Sequence, residues 1–146
     1  MNIYLDTNLW NVLCDQEVDQ EKLVASLASK NARLVISPHT VFELAKTFRA
    51  SGEQASKRGR ELFSCLKKFV DANIPCSKEI MELLAAEMQA LQLRKSTIDA
   101  FLGEFDYGML KQEVDKLASG EFDERADKFI KARSVDLPPV LGPVIS

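Results

Sequence analysis

The 146-residue chain has 46% hydrophobic and 28% charged residues, with six glycines and five prolines, which excludes a disordered, collagen-like or low-complexity protein. That length suits one domain and can bury a sizeable core. Against 22 Asp plus Glu stand 19 Lys plus Arg, so the net charge of −3 supplies no global positive field for nucleic acid.

Residues 3–5 form a short apolar run and residues 34–36 a wholly apolar, β-branched one, the pattern of strands buried on both faces. Between them, 9–14 and 20–30 have helical spacing. Residues 1–36 are thus a predicted β-α-α-β unit, and a crossover of this length makes the strands parallel with a right-handed connection. Ser37-Pro38 marks a helix start, Ser as N-cap and Pro at the first helical position. Val41, Leu44, Ala45 and Phe48 follow at i, i+3, i+4, i+7, and the helix is expected to stop near Ser51-Gly52.

Beyond that point the pattern is helix after helix. Leu62, Phe63, Leu66, Phe69 and Val70 keep helical spacing up to Asn73-Ile74-Pro75. Ser77 is the expected cap of a helix with Glu79 and Ile80 in its first turn and a stripe of Ile80, Leu83, Leu84, Met88 and Leu91. Ile98, Phe101, Leu102 and Phe105 give another helical segment, weakened by Gly103 and Gly108. Leu110, Val114 and Leu117 continue it, then Phe122, Ala126, Phe129 and Ile130 after a break at Gly120. Residues 136–146 hold three prolines and cannot be a helix.

The expected architecture is therefore α/β: a parallel sheet with helices on both faces, strongly helix-rich, the sheet incomplete in this chain. Residues 1–52 would be the amino-terminal half of the α/β domain, 53–134 a helical elaboration packed on it, and 135–146 a Pro-rich tail or linker. No third strand is predicted, and two parallel strands are few for such a sheet. Further strands are expected beyond Ser146, with a partner chain as the other way to complete it.

No basic segment precedes an apolar amino-terminal stretch, and no apolar run approaches about 18 residues, so a cytoplasmic protein without a membrane span is expected. Cys14, Cys65 and Cys76 are an odd count without C-x-x-C spacing, and are expected to be reduced, partly buried thiols.

Asp6 ends the first strand and Glu43 lies in the helix after the second, 37 positions on. Carboxyl ends of parallel strands are where α/β sheets bind ligands. Ile3-Tyr4-Leu5-Asp6-Thr7-Asn8 before a helix, then Val35-Ile36-Ser37-Pro38 leading to Glu43, resembles the start of a PIN domain over residues 1–50. The resemblance implies a metal-dependent ribonuclease, a family that includes many toxins of bacterial toxin–antitoxin pairs. It also implies three or four carboxylates around one or two Mg²⁺ or Mn²⁺ ions.

Carried over, Asp6 and Glu43 are the first two acids, with Thr7 and Asn8 positioning the site and the substrate. Asp99, in Asp99-Ala100, is a third candidate 56 positions after Glu43, although no apolar strand follows it as the family pattern requires. Asp115, Asp123 and Asp127 lie in helical, charged surroundings. The remaining acids are expected beyond Ser146, which would leave this chain inactive alone. Hard cations take oxygen ligands, lower the pKa of bound water and offset the charge of an acidic pocket facing RNA. RNA, an antitoxin or other protein, and a second copy of the chain are the partners this implies; a membrane is not.

Each residue has a plainer role open to it. Asp6 can cap the following helix. Glu43 lies at about 200° from Val41 on the helical wheel, opposite the apolar stripe, as a solvated surface residue would. His39 is expected to be exposed. Lys57, Arg58, Arg60, Lys67 and Lys68 could contact phosphates or form a solvated helix face. Trp10 and Phe42 are expected in the core rather than stacked on bases. The alternative function is a catalytically inactive PIN-like or Rossmann-like scaffold presenting its Phe- and Leu-rich helices to a partner.

Overall fold

A computed structural model of the chain describes residues 1–50 and 52–128. β1 (Asn2–Tyr4) and β2 (Arg33–Val35) pair in parallel, with Ile3 opposite Leu34, and α1 (Thr7–Asp15) and α2 (Gln20–Ala28) connect them. Then come α3 (Pro38–Ala45), a 3₁₀ turn (Lys46–Arg49), α4 (Glu53–Asp71), α5 (Ile80–Gln92) and α6 (Glu104–Ala118). The fold is α/β and strongly helix-rich, with a short parallel sheet that is incomplete among the described residues. Both strands and the helices up to residue 49 lie where the sequence patterns put them, within a few residues. The expected Pro-rich segment 135–146, and Phe129 and Ile130 before it, lie outside the described residues.

Local chemistry explains the element starts. The Ser37 hydroxyl accepts from the Thr40 amide at 3.1 Å, with Pro38 in the first turn of α3. Asp19 caps α2 by accepting from the Lys22 amide at 3.2 Å. Asn73 ends the α4 region with φ of 60°, a left-handed conformation that Asn tolerates.

Two expectations are corrected after α4. Ser77 does not cap a helix: it is buried, and its amide donates to the Ile36 carbonyl at 2.8 Å. Ile36 in turn donates to the Pro75 carbonyl at 2.8 Å, so Cys76 forms a parallel bridge beside β2. The helix that follows starts at Ile80, with Glu79 extended at the N-cap position. Residues 98–102 are not helical either. Phe101 bridges Ser77 in the antiparallel sense, with Leu102 donating to the Cys76 carbonyl at 2.8 Å. The Asp99 carboxylate accepts from the Phe101 amide at 3.3 Å, a local turn that competes with helix. Both segments satisfy backbone groups at the sheet edge through single-residue bridges. These leave no period-two run in the sequence, which is why no third pairing was legible.

The core lies between the sheet, α1, α3, α4 and α6, around Trp10, Ile36, Leu44, Phe63, Leu66 and Phe69. Trp10 meets Phe69 edge-on at 5.1 Å between ring centroids. Phe48 is flanked by Phe63 at 5.9 Å and stacks on Phe122 at 5.3 Å. Each such side chain contributes about 1.5–3 kcal/mol on burial. The predicted α5 stripe behaves differently. Among its described residues only Ala90 is buried, and Ile80, Leu84, Met88 and Leu91 are exposed.

All three cysteines are free thiols. Burial pushes Cys65 up to about 11 and Cys76 up to about 12, so neither is a nucleophile near neutrality. Among the described residues no helix is long and apolar enough to cross a membrane.

Candidate functional site

Asp6 sits between β1 and α1, with extended backbone at the N-cap of the helix (φ −74°, ψ 171°). Its Oδ1 accepts from the Leu9 amide at 2.8 Å. The plainer role is therefore real, but it uses one carboxylate oxygen, and Asp6 is exposed. A cap and a metal ligand are compatible in the same side chain, since a carboxylate has about four acceptor sites. Thr7 and Asn8 form the first turn of α1. Thr7 is half-buried, its carbonyl accepting from Asn11 Nδ2 at 2.9 Å, and Asn8 is exposed.

Glu43 is half-buried rather than solvated, which corrects the helical-wheel expectation. Thr40, Val41, Phe42, Leu44 and Ala45 are all buried, so α3 is enclosed over most of its circumference, and the polar side is narrower than a surface helix would show. Glu43 Oε1 lies 3.1 Å from Lys46 Nζ and 3.8 Å from His39 Nε2. His39 is exposed, as expected.

Thr40 was not singled out from the sequence, yet it couples the two acid-bearing turns. Its buried hydroxyl lies 3.5 Å from the Leu5 carbonyl, immediately before Asp6, and 3.0 Å from the Ser37 hydroxyl. Glu43 follows three residues later on the same helix. A buried hydroxyl needs such partners, so the start of α3 is tied to the end of β1. The sequence signal was Ser37-x-x-Thr40, a capping hydroxyl followed by a second hydroxyl one turn on. Lys46 was also legible as an i, i+3 partner of Glu43.

Asp99 lies on the exposed turn before α6, 3.9 Å from Lys78. Among the described residues, no three His, Cys, Asp or Glu side chains come together in a group that could hold a metal ion. Asp6, Glu43 and Asp99 therefore do not form one three-ligand cluster.

The basic segment of α4 is partly consumed by internal pairs. Arg58 donates to Asp15 at 2.7 Å and to Asn11 at 2.8 Å, tying α4 to α1. Lys67 lies 2.8 Å from Asp71 and 2.9 Å from Asp115. Lys57, Arg60 and Lys68 are exposed on the same helix. Trp10 and Phe42 are buried, as expected.

The pair of acids is a hard-oxygen donor set. Magnesium is commonly held by one or two carboxylates, with water and substrate phosphates filling the rest. Both side chains are of the oxygen-donor type that divalent cations take, and the Asp6 oxygen not used by the helix cap and the Glu43 carboxylate are the groups that could hold one.

No curated protein and no solved structure shows significant similarity to this chain. The family profile described as PIN domain matches residues 3–105, most of the chain, including both acids and the turns that carry them. The chain belongs to the PIN domain family, a superfamily of nuclease type.

Proposed function

We propose that this protein is a divalent-metal-dependent ribonuclease whose site is built on Asp6 and Glu43, with Mg²⁺ or Mn²⁺ as cofactor. The observation that carries the reading is the placement of these two acids after adjacent parallel strands, joined through Thr40, within a PIN domain. When bound, the ion would activate water and stabilise the charge developing on a phosphodiester. Asp6 would offer the oxygen its helix cap leaves over, and Glu43 would exchange Lys46 for the cation. Thr7 and Asn8 would position the substrate from the first turn of α1. Residues 1–52 would supply both acids and residues 53–134 the helical body packed on them. Further ligands would come from substrate, water or residues outside those described, Asp99 being the weakest candidate. A cytoplasmic location, an antitoxin or other protein partner, and self-association accompany this reading.

The test is cleavage of single-stranded RNA by the protein with Mg²⁺ or Mn²⁺, beside Asp6→Asn and Glu43→Gln. Metal-dependent cleavage lost in both variants supports the reading; cleavage undiminished in both overturns it. The second reading is an inactive PIN-like scaffold. What favours it is the lack of a three-ligand group among the described residues. Isothermal titration with millimolar Mn²⁺ separates the two, because the scaffold reading requires no binding that depends on Glu43.

A further inference from the structure

A cleft of about 430 Å³ opens between α3, α6 and residues 121–126, away from the proposed site: neither Asp6 nor Glu43 lines it. Its floor is apolar, made by the buried Val41, Phe42, Ala45 and Leu117, with the more exposed Met109 also on its lining. Its rim carries six carboxylates, Glu79, Glu82, Asp106, Glu113, Glu121 and Asp123, against two cations, Lys116 and Arg125. Lys116 is itself 3.7 Å from Glu113, so one cation and one carboxylate of the rim offset each other and the excess of four carboxylates is unchanged. A cleft of this size with an apolar floor is the usual form of a binding site. The charge at its rim decides the class of occupant. RNA would be repelled, and a segment with apolar anchors and cationic flanks would be both desolvated on the floor and attracted at the edge.

We propose that this cleft is a docking groove for an apolar protein segment flanked by Arg or Lys, presented by a partner protein. The inference does not depend on the nuclease reading. The floor nevertheless has a physical link to that site: Phe42 carries Lys46 Nζ 4.7 Å above its ring centre, and Lys46 pairs with Glu43.

The test uses the full chain and fluorescence anisotropy with two labelled 15-residue amphipathic helical peptides, one of Leu and Lys, the other of Leu and Glu. The Lys peptide is expected to bind at least ten-fold more tightly, and more weakly as salt rises from 50 to 300 mM. Glu82→Lys combined with Glu113→Lys should weaken it at least five-fold, and Met109→Glu likewise. Met109 is 54% exposed, so its substitution leaves the fold intact. Leu91→Glu, on the exposed stripe of α5 outside the cleft, should change nothing. Equal loss in Leu91→Glu, or no loss in the cleft variants, overturns the proposal. Concentration-dependent self-association abolished by Met109→Glu would make a second copy the occupant and also overturn it.

Discussion

Lys46 folds back along α3 to set its ammonium 3.1 Å from Oε1 of Glu43. On the proposed reading, the divalent cation would compete at Glu43 with this internal one. Both side chains are partly exposed, and such pairs contribute about 0.2–1 kcal/mol. Lys46→Met keeps the apolar stem beside Phe42 and removes the competitor. We expect it to tighten Mn²⁺ binding by up to about five-fold in isothermal titration, the fold-change to which the upper end of this energy range converts. Unchanged affinity, with Glu43→Gln also without effect, would show that Glu43 is not a ligand.

Asp6 caps α1, and substitution can separate that role from the metal-binding one proposed for it. Asn caps helices about as well as Asp, whereas Ala at an N-cap costs about 1 kcal/mol. Asp6→Asn should keep the stability of the parent in urea denaturation, and Asp6→Ala should lose about 1 kcal/mol. Both should lose metal-dependent cleavage. Cleavage retained by Asp6→Asn but not by Asp6→Ala would reduce Asp6 to a cap.

Gly59 is an unexpectedly demanding position in the middle of α4. A Cβ there would lie 2.6 Å from the Phe48 ring, which Phe63 and Phe122 hold in place. Ala ordinarily stabilises a helix by about 1 kcal/mol relative to Gly. Here overpacking wins, and Gly59→Ala should destabilise by about 1–3 kcal/mol. Phe48→Leu should suppress part of that loss, a non-additivity that a double-mutant cycle in urea reads directly.

Stability should fall at alkaline pH. Tyr107 is pushed up to about 12 by burial, its hydroxyl donating to the Val70 and Ile74 carbonyls, and Cys76 and Cys65 are pushed up to about 12 and about 11. The unfolded chain releases these protons at the ordinary values of 9.0 for thiols and 10.0 for the phenol, so between those values and the raised ones the folded state holds more protons. Stability is therefore full below about pH 9 and declines as pH rises towards 12. Thermal unfolding at pH 7.5 and 10.5 should show a lower Tm at the higher pH, with a smaller drop in Cys65→Ala. A Tm that stays level to pH 11 would contradict the burial of these groups.

The two turns that carry the candidate acids were visible in the chain because their signals are local. Asp6 at the end of an apolar run and Ser37-Pro38 ahead of Glu43 define two strand-to-helix turns within a few residues each. The family resemblance rests on those turns, and the family match contains both. Less visible was the environment of Glu43. A helical wheel sees only one helix, and the burial of α3 on most sides depends on elements far along the chain. Thr40 was missed for the same reason, since its Leu5 partner is 35 positions away. The bridges at Cys76 and Phe101 were missed because single-residue pairings have no periodicity to detect.

The sequence by itself determined where the first strands and helices begin, which acid ends β1, and that His39 is exposed and Trp10 buried. Capping chemistry and apolar spacing act over one or two turns, and those rules are written in neighbouring residues. Tertiary packing alone decided that Thr40 ties Leu5 to α3, that Glu43 is half-buried, and that α5 faces outward. It also decided that an apolar floor and an acidic rim from α3, α5, α6 and residues 121–126 meet as one cleft. Such features arise where segments far apart in the chain compete for the same space, and no local rule fixes the winner.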